Sequence, residues 1–154
     1  MAALGAIRFL TIHTTATPEG MDCTAQQIAD MDIRRFGIES YHHIVTLDGI
    51  DHVRLADTVK GAHVGGHNTG NIGVSYVGGI DRTTKKPKDT RTAAQRATLR
   101  KIVRAYQAKY PGIRVMGHRD WSPDLDRDGK IEPNEWLKVC PCFDVAAWMA
   151  GGMP

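Results

Sequence analysis

The chain has 154 residues, 42% of them hydrophobic and 24% charged, which suits one domain with a real core and excludes a disordered, collagen-like or coiled-coil chain. Twenty Lys and Arg against 17 Asp and Glu leave a formal charge of +3, and no basic run marks a nucleic-acid surface. The three cysteines, Cys23, Cys140 and Cys142, are an odd set whose nearest pair is separated by one residue; this is poor geometry for a bridge and turns attention to metal or catalytic roles.

In chain order, Ile7 to His13 is rich in β-formers and predicts a strand ending at His13, closed by Pro18-Glu19-Gly20. Thr24 with Gln27 forms a capping box, and Ala25, Ile28, Ala29 and Phe36 make an apolar stripe, so a helix is predicted from Thr24 to Phe36, stopped by Gly37. His42 to Thr46 and Ile50 to Arg54 flank Leu47-Asp48-Gly49, an Asp-Gly hairpin signal. One of His42 and His43 must then face the sheet interior. Gly61 to Gly70 carries four glycines with His63, His67 and Asn68, a loop whose backbone passes close to something. Ile72 to Val77 reads as a strand and Asp81 to Arg91 as a solvated loop. A second capping box, Thr92 with Gln95, opens a helix that presents Leu99, Ile102, Val103, Tyr106 and Tyr110 on one face and ends at Pro111-Gly112. A strand from Ile113 to Met116 delivers His118; an Asp-rich loop, the Lys138 to Cys142 segment and a short helix from Asp144 to Met149 follow. Strands alternating with helices around a central hairpin predict a single α/β domain over residues 1–154, with a mixed central β-sheet flanked by helices. No run of 18 apolar residues and no basic n-region occur, so neither a membrane span nor a secretory signal is expected.

His13 and His118 sit at predicted strand ends, and Cys140 follows in the Lys138 to Cys142 segment. Two imidazoles and a thiolate make a three-ligand zinc set with a fourth position left for water. The spacing alone is a weak signal, because no CxxC or HExxH joins these residues. If Lys138 to Cys142 runs extended, Lys138, Cys140 and Cys142 share a face, and Cys142 is then a second thiol within reach of the same ion.

Six ordered motifs sharpen this reading: His13-Thr14-Thr15-Ala16, Ser40-Tyr41-His42, Gly61-Ala62-His63, Asn71-Ile72-Gly73-Val74, Gly117-His118-Arg119-Asp120 and Lys138-Val139-Cys140-Pro141-Cys142-Phe143-Asp144. Together they resemble the type 2 N-acetylmuramoyl-L-alanine amidases, in particular the short phage endolysins, over nearly the whole chain. The resemblance implies a fold like that of peptidoglycan-recognition proteins. It also implies a zinc hydrolase that cuts the amide between N-acetylmuramic acid and L-alanine of peptidoglycan. By motif match His13, His118 and Cys140 are the zinc ligands and Tyr41 and Lys138 the catalytic pair, with His63, His67 and Asn68 expected to meet substrate. A muramyl peptide is the expected partner, without nucleic acid or membrane, and the chain is expected to be a monomer held in the bacterial host cytoplasm until release to the wall. A non-catalytic wall-recognition module and a wall-recycling amidase are the competing expectations.

Between His118 and Cys140 a separate pattern occurs. Asp124, Asp126, Asp128 and Glu135 fall at positions 1, 3, 5 and 12 of an EF-hand loop, with Gly129 at 6, Lys130 offering its carbonyl at 7 and Ile131 at 8. The pattern predicts a structural calcium site over 124–135, although Ser122-Pro123 stands where an EF-hand carries a helix.

Overall fold

The computed structural model describes residues 1–154. Its centre is a five-stranded sheet built from β1 (Phe9–Thr14), β3 (His43–Val45), β4 (Asp51–Val53), β5 (Asn71–Tyr76) and β7 (Arg114–Gly117), in the order β4-β3-β5-β1-β7. Only the β3–β4 hairpin is antiparallel; β3–β5, β5–β1 and β1–β7 are parallel, so the sheet is mixed. Three helices cover it: α1 (Ala25–Phe36), α2 (Ala93–Lys109) and α3 (Val145–Ala150). None is long and apolar enough to cross a membrane.

Strand alternation divides the sheet into two chemically different faces. Leu10 and Ile12 of β1, with Ile72, Val74 and Tyr76 of β5, join Leu99, Ile102 and Val103 of α2 and Val145 and Trp148 of α3 in the main core. On the other face Ile44 and Val77 pack against Ala25 and Ile28 of α1 in a smaller cluster. That second face also carries Thr11 and His13 of β1 and Asn71, Gly73 and Ser75 of β5. It is the more polar side of the sheet, where Thr11, His13 and Asn71 are tied by hydrogen bonds beside the small apolar cluster.

Both capping boxes form as the sequence predicts. Gln27 N–H donates to Thr24 Oγ1 at 3.1 Å and Thr24 N–H to Gln27 Oε1 at 2.9 Å; Thr92 and Gln95 repeat the exchange at 3.0 and 2.9 Å. Gly37 ends α1 in the left-handed region at φ 80°, donating its N–H to the Ile33 carbonyl. The hairpin strands are shorter than predicted because Thr46 Oγ1–H and Ile50 N–H both bond the Asp48 carboxylate, which draws the ends into the turn.

A two-residue pairing of β2 (Thr17–Pro18) with β6 (Gly79–Ile80) was not expected, since two residues carry no periodicity. His118 opens a 3-10 turn, His118–Trp121, capped by the Asp120 carboxylate on Gly117 N–H at 2.7 Å. The expectation of an extended Lys138 to Cys142 segment is corrected. The chain turns at Cys140-Pro141, and Cys142 N–H donates to the Val139 carbonyl at 2.9 Å. His42 and His43 are both buried, on opposite faces of the sheet.

Candidate active site

The parallel register decides where the site lies. Ile12 pairs with Gly117 and His13 with Ser75, so the carboxyl ends of β1, β5 and β7 come together and His118 emerges beside His13. The crevice beyond the carboxyl ends of parallel strands is where α/β sheets place their ligands. The His13 and His118 ring centroids are 4.7 Å apart.

Cys140 reaches the same point from the loop. Arg119 N–H donates to the Cys140 carbonyl at 2.9 Å and the Tyr76 hydroxyl to the Pro141 carbonyl at 2.7 Å, which pins the turn against β7 and β5. The Cys140 sulfur accepts Thr14 N–H at 3.2 Å and stands 3.7 Å from His13 Nδ1. One donor atom from each of His13, His118 and Cys140 lies within 4.8 Å of the others. Cys142 does not join them: the turn directs its thiol to the Gly79 carbonyl at 3.5 Å. The turn thus separates the two thiols that the sequence left as competitors.

The donor set fits zinc. Two imidazoles and a thiol are the softer N/S ligands that zinc takes, and no carboxylate belongs to the group. The 3.7 Å separation of His13 Nδ1 and Cys140 Sγ is close to the edge of about 3.5 Å that bonds of about 2.0 and 2.3 Å make at a tetrahedral angle. Burial holds His13 well below the ordinary imidazole range, and burial with the Lys138 ammonium pushes His118 down to about 4, so both offer lone pairs at neutral pH. Burial pushes the Cys140 thiol up to about 12; a cation beside the sulfur would reverse that balance by taking the proton's place.

This group lies in a cleft of about 460 Å³ that Tyr41, Arg35, Asp32 and Lys138 also line. A second cleft of about 500 Å³, lined by His67, Trp121, Pro123 and Leu137, shares His118 and Lys138 with the first. The two clefts meet at His118 and Lys138 and together form one groove, with the candidate metal group in the first of them. Tyr41 stands with its ring 5.2 Å from that of His13. Burial drives its phenol far above the ordinary range, so it remains an O–H and acts as a hydrogen-bond donor, not an anionic base. Lys138 is exposed at the groove edge.

A profile of the N-acetylmuramoyl-L-alanine amidase family matches residues 3–135. The chain belongs to that family. It is an N-acetylmuramoyl-L-alanine amidase. An uncharacterized protein of Haemophilus influenzae is 48% identical over 89 residues, 58% of this chain and 76% of its own. The endolysin of Klebsiella phage KP32 is 30% identical over 138 residues, 89% of this chain and 82% of its own. Among solved structures, the Ph2119 endolysin from a Thermus scotoductus MAT2119 bacteriophage superposes with a TM-score of 0.68 at 17% identity, covering 96% of this amidase and 84% of that chain; this is likeness of fold.

The other residues singled out in the sequence fall into different places. His67 is exposed and stacks on Trp121, ring centroids 4.7 Å apart, in the wall of the second cleft. Asn68 caps its own loop, its Oδ1 accepting the N–H groups of His63 and Val64 at 2.9 and 2.8 Å. His63 forms part of the groove floor but is only 7% exposed, and its ring nitrogens face His13 Nε2 at 3.0 Å and the Asn71 carbonyl at 2.9 Å. Both ring nitrogens of His63 are thus engaged within the protein, one of them with a candidate metal ligand.

In the acidic loop Asp124, Asp126 and Asp128 converge, while Glu135 does not point outward with them. Its Oε1 accepts Leu125 N–H at 2.8 Å and Asp126 N–H at 3.3 Å, and its Oε2 accepts Glu132 N–H at 2.9 Å. Glu135 therefore clasps the loop backbone from within.

Proposed function

We propose that this amidase is a zinc enzyme of the endolysin kind, cleaving the amide between the lactyl group of N-acetylmuramic acid and L-alanine in peptidoglycan. The observation that carries the reading is the convergence of His13, His118 and Cys140 at one point of a groove edged by Lys138. His13 Nδ1, a ring nitrogen of His118 and Cys140 Sγ would hold the ion. Zinc, when bound, supplies a Lewis acid for the amide carbonyl and a lowered pKa for the attacking water. Lys138 places a positive charge where the carbonyl oxygen becomes negative, and the Tyr41 hydroxyl donates a hydrogen bond in the same space. The second cleft, which joins the first at His118 and Lys138, gives room beside the ligand group for a further part of the muramyl peptide. The likeness to a Klebsiella phage endolysin supports synthesis in a bacterial cytoplasm and action on the wall after release. A monomer suffices, because one chain supplies every residue of the site.

A non-catalytic recognition role is disfavoured by the presence of the thiol in the ligand group together with Lys138 and Tyr41 beside it. As a subordinate part of the proposal, the Asp124-Asp126-Asp128 loop takes calcium. Its converging carboxylates support this, as does the Glu132 carboxyl, which the charge of Asp128 foremost raises above its ordinary range.

The deciding measurement is zinc content together with release of free stem peptide from purified muropeptide, for wild type, Cys140→Ala and Cys142→Ala. Wild type and Cys142→Ala are expected to carry one zinc and to cleave, and Cys140→Ala to lose both properties. Retention by Cys140→Ala with loss by Cys142→Ala would reverse the ligand assignment, and a metal-free, inactive wild type would end the enzymatic reading.

A further inference from the structure

A chain of buried polar contacts runs behind the groove, and its protons can be assigned from geometry. At one end is the Asn71 carbonyl, which has no proton to give; the His63 Nε2 that faces it at 2.9 Å must therefore carry the proton and donate it. No carboxylate pairs with either imidazole to favour a second proton on the ring, so a neutral His63 presents a bare Nδ1 to His13 Nε2 at 3.0 Å. His13 must then donate from Nε2. A neutral His13 with its proton on Nε2 has a free lone pair on Nδ1, the atom that stands 3.7 Å from Cys140 Sγ.

We propose that His63 is the positioning residue of the metal site, holding His13 in the Nε2–H tautomer so that Nδ1 is left as the metal-binding atom. The inference rests on the zinc reading above and deepens it. Orientation of a ligating imidazole through its other ring nitrogen is a general device of metal sites, and removing such a partner costs about 10–100-fold in affinity.

The surroundings of His63 are shaped to hold its ring in place. A Cβ at position 73 would come within 2.8 Å of the imidazole, so the absent side chain of Gly73 makes the seat for the ring. Asn71 is itself fixed: its Oδ1 accepts Thr11 Oγ1–H at 2.8 Å and its Nδ2–H donates to the His67 carbonyl at 2.9 Å. Thr11 Oγ1 in turn accepts the Trp121 indole N–H at 3.0 Å, and Trp121 ends the short turn that His118 begins. The one network thus runs from the scaffold of His118 through Thr11, Asn71 and His63 to His13, orienting one ligand against the element that carries the other.

Two experiments test this, and neither depends on turnover. Long-range ¹H–¹⁵N spectra of the imidazoles in metal-free wild type at pH 7 read the tautomers directly: His13 and His63 are both expected as Nε2–H forms. An Nδ1–H form of either ring overturns the proposal whether or not zinc binds. Zinc affinity is then measured by chelator competition for wild type, His63→Leu, which keeps bulk but has no acceptor, and His63→Asn, whose amide oxygen can replace Nδ1. Cobalt(II) is used as a spectroscopic reporter of thiolate coordination, and the metal-free melting temperature as the control for folding. Affinity about 10–100-fold weaker in His63→Leu, restored to within about threefold by His63→Asn, is the expected pattern. Equal affinity in wild type and His63→Leu overturns the inference while leaving the zinc reading intact; a wild type that binds no zinc ends that reading, and the tautomer spectra still judge the His63–His13 contact.

Discussion

The proposed function divides the single residues of this amidase into those expected to meet substrate and those that hold the chemistry in place, and the two kinds predict different losses. Lys138 and Tyr41 line the groove but belong to no ligand group, so Lys138→Ala and Tyr41→Phe should keep zinc and lose turnover. For a donor aimed at developing charge the loss is about 10²–10³-fold in kcat. Undiminished turnover with zinc retained would remove the residue from the catalytic pair. His42 is of the second kind. Its Nε2–H donates to the Val59 carbonyl at 2.7 Å and its Nδ1 accepts Gly73 N–H at 3.0 Å, an arrangement that only the neutral ring satisfies. Burial keeps its pKa below the ordinary value of 6.5. As pH falls below 6.5 the unfolded chain protonates this histidine and the folded chain does not, so stability is lost on acidification and is intact above that value. Urea midpoints at pH 7 and pH 5 should therefore differ less for His42→Gln than for wild type. Equal differences in the two proteins would show that His42 is not the titrating group.

At the scale of elements, the sequence displayed what periodicity and capping encode and concealed what depends on register. Both long helices were legible because Thr24-Gln27 and Thr92-Gln95 mark their starts and apolar stripes mark their faces. His13 and His118 were legible as strand-end histidines. The separation of Cys140 from Cys142 was not, because it depends on a local turn that an extended reading of Lys138 to Cys142 misses. Nor was the role of His63, since its partner His13 is fifty residues away and only the β1–β5 register brings them together. A Gly at 73, in a strand that is otherwise apolar or polar by turns, was the one available signal. Gln95 shows a further function hidden in a capping motif: while its Oε1 caps Thr92, its Nε2 donates to the Val45 and Val77 carbonyls at 3.2 and 3.0 Å. It is fully buried and closes the ends of β3 and β5 onto α2. Gln95→Leu would keep the volume but leave the Val77 carbonyl and the Thr92 N–H unpaired, the Val45 carbonyl still accepting Val77 N–H at 2.9 Å, with an expected cost of about 1–3 kcal/mol. A chemical-denaturation series that found no loss would show that these groups find water or other partners.

For the whole molecule, the question is how a long acidic loop can sit between two segments of the active site without loosening it. Its base is closed by protein bonds alone: Leu137 N–H donates to Ser122 Oγ at 3.0 Å, Arg119 N–H to the Cys140 carbonyl, and the Arg119 guanidinium lies 4.0 Å over the Trp136 ring. Glu135 gathers the interior of the loop through three backbone N–H groups. Positioning of His118 and Cys140 therefore does not wait for an ion in the loop, and calcium should act on stability more than on chemistry. An ion that binds only the folded loop adds about 1.4 kcal/mol when present at about ten times its Kd, by the linkage relation. For a chain of this length that raises the melting temperature by about 3–6 °C. Melts of the zinc-loaded enzyme with chelator and with millimolar calcium should show that rise, and Asp124→Ala with Asp126→Ala should abolish it. Muropeptide turnover at 25 °C should change by less than about twofold. An unchanged melting temperature in millimolar calcium removes the calcium proposal, whereas a large rise in turnover would mean that the bonds at the base of the loop do not suffice and that the ion helps to set the ligand geometry.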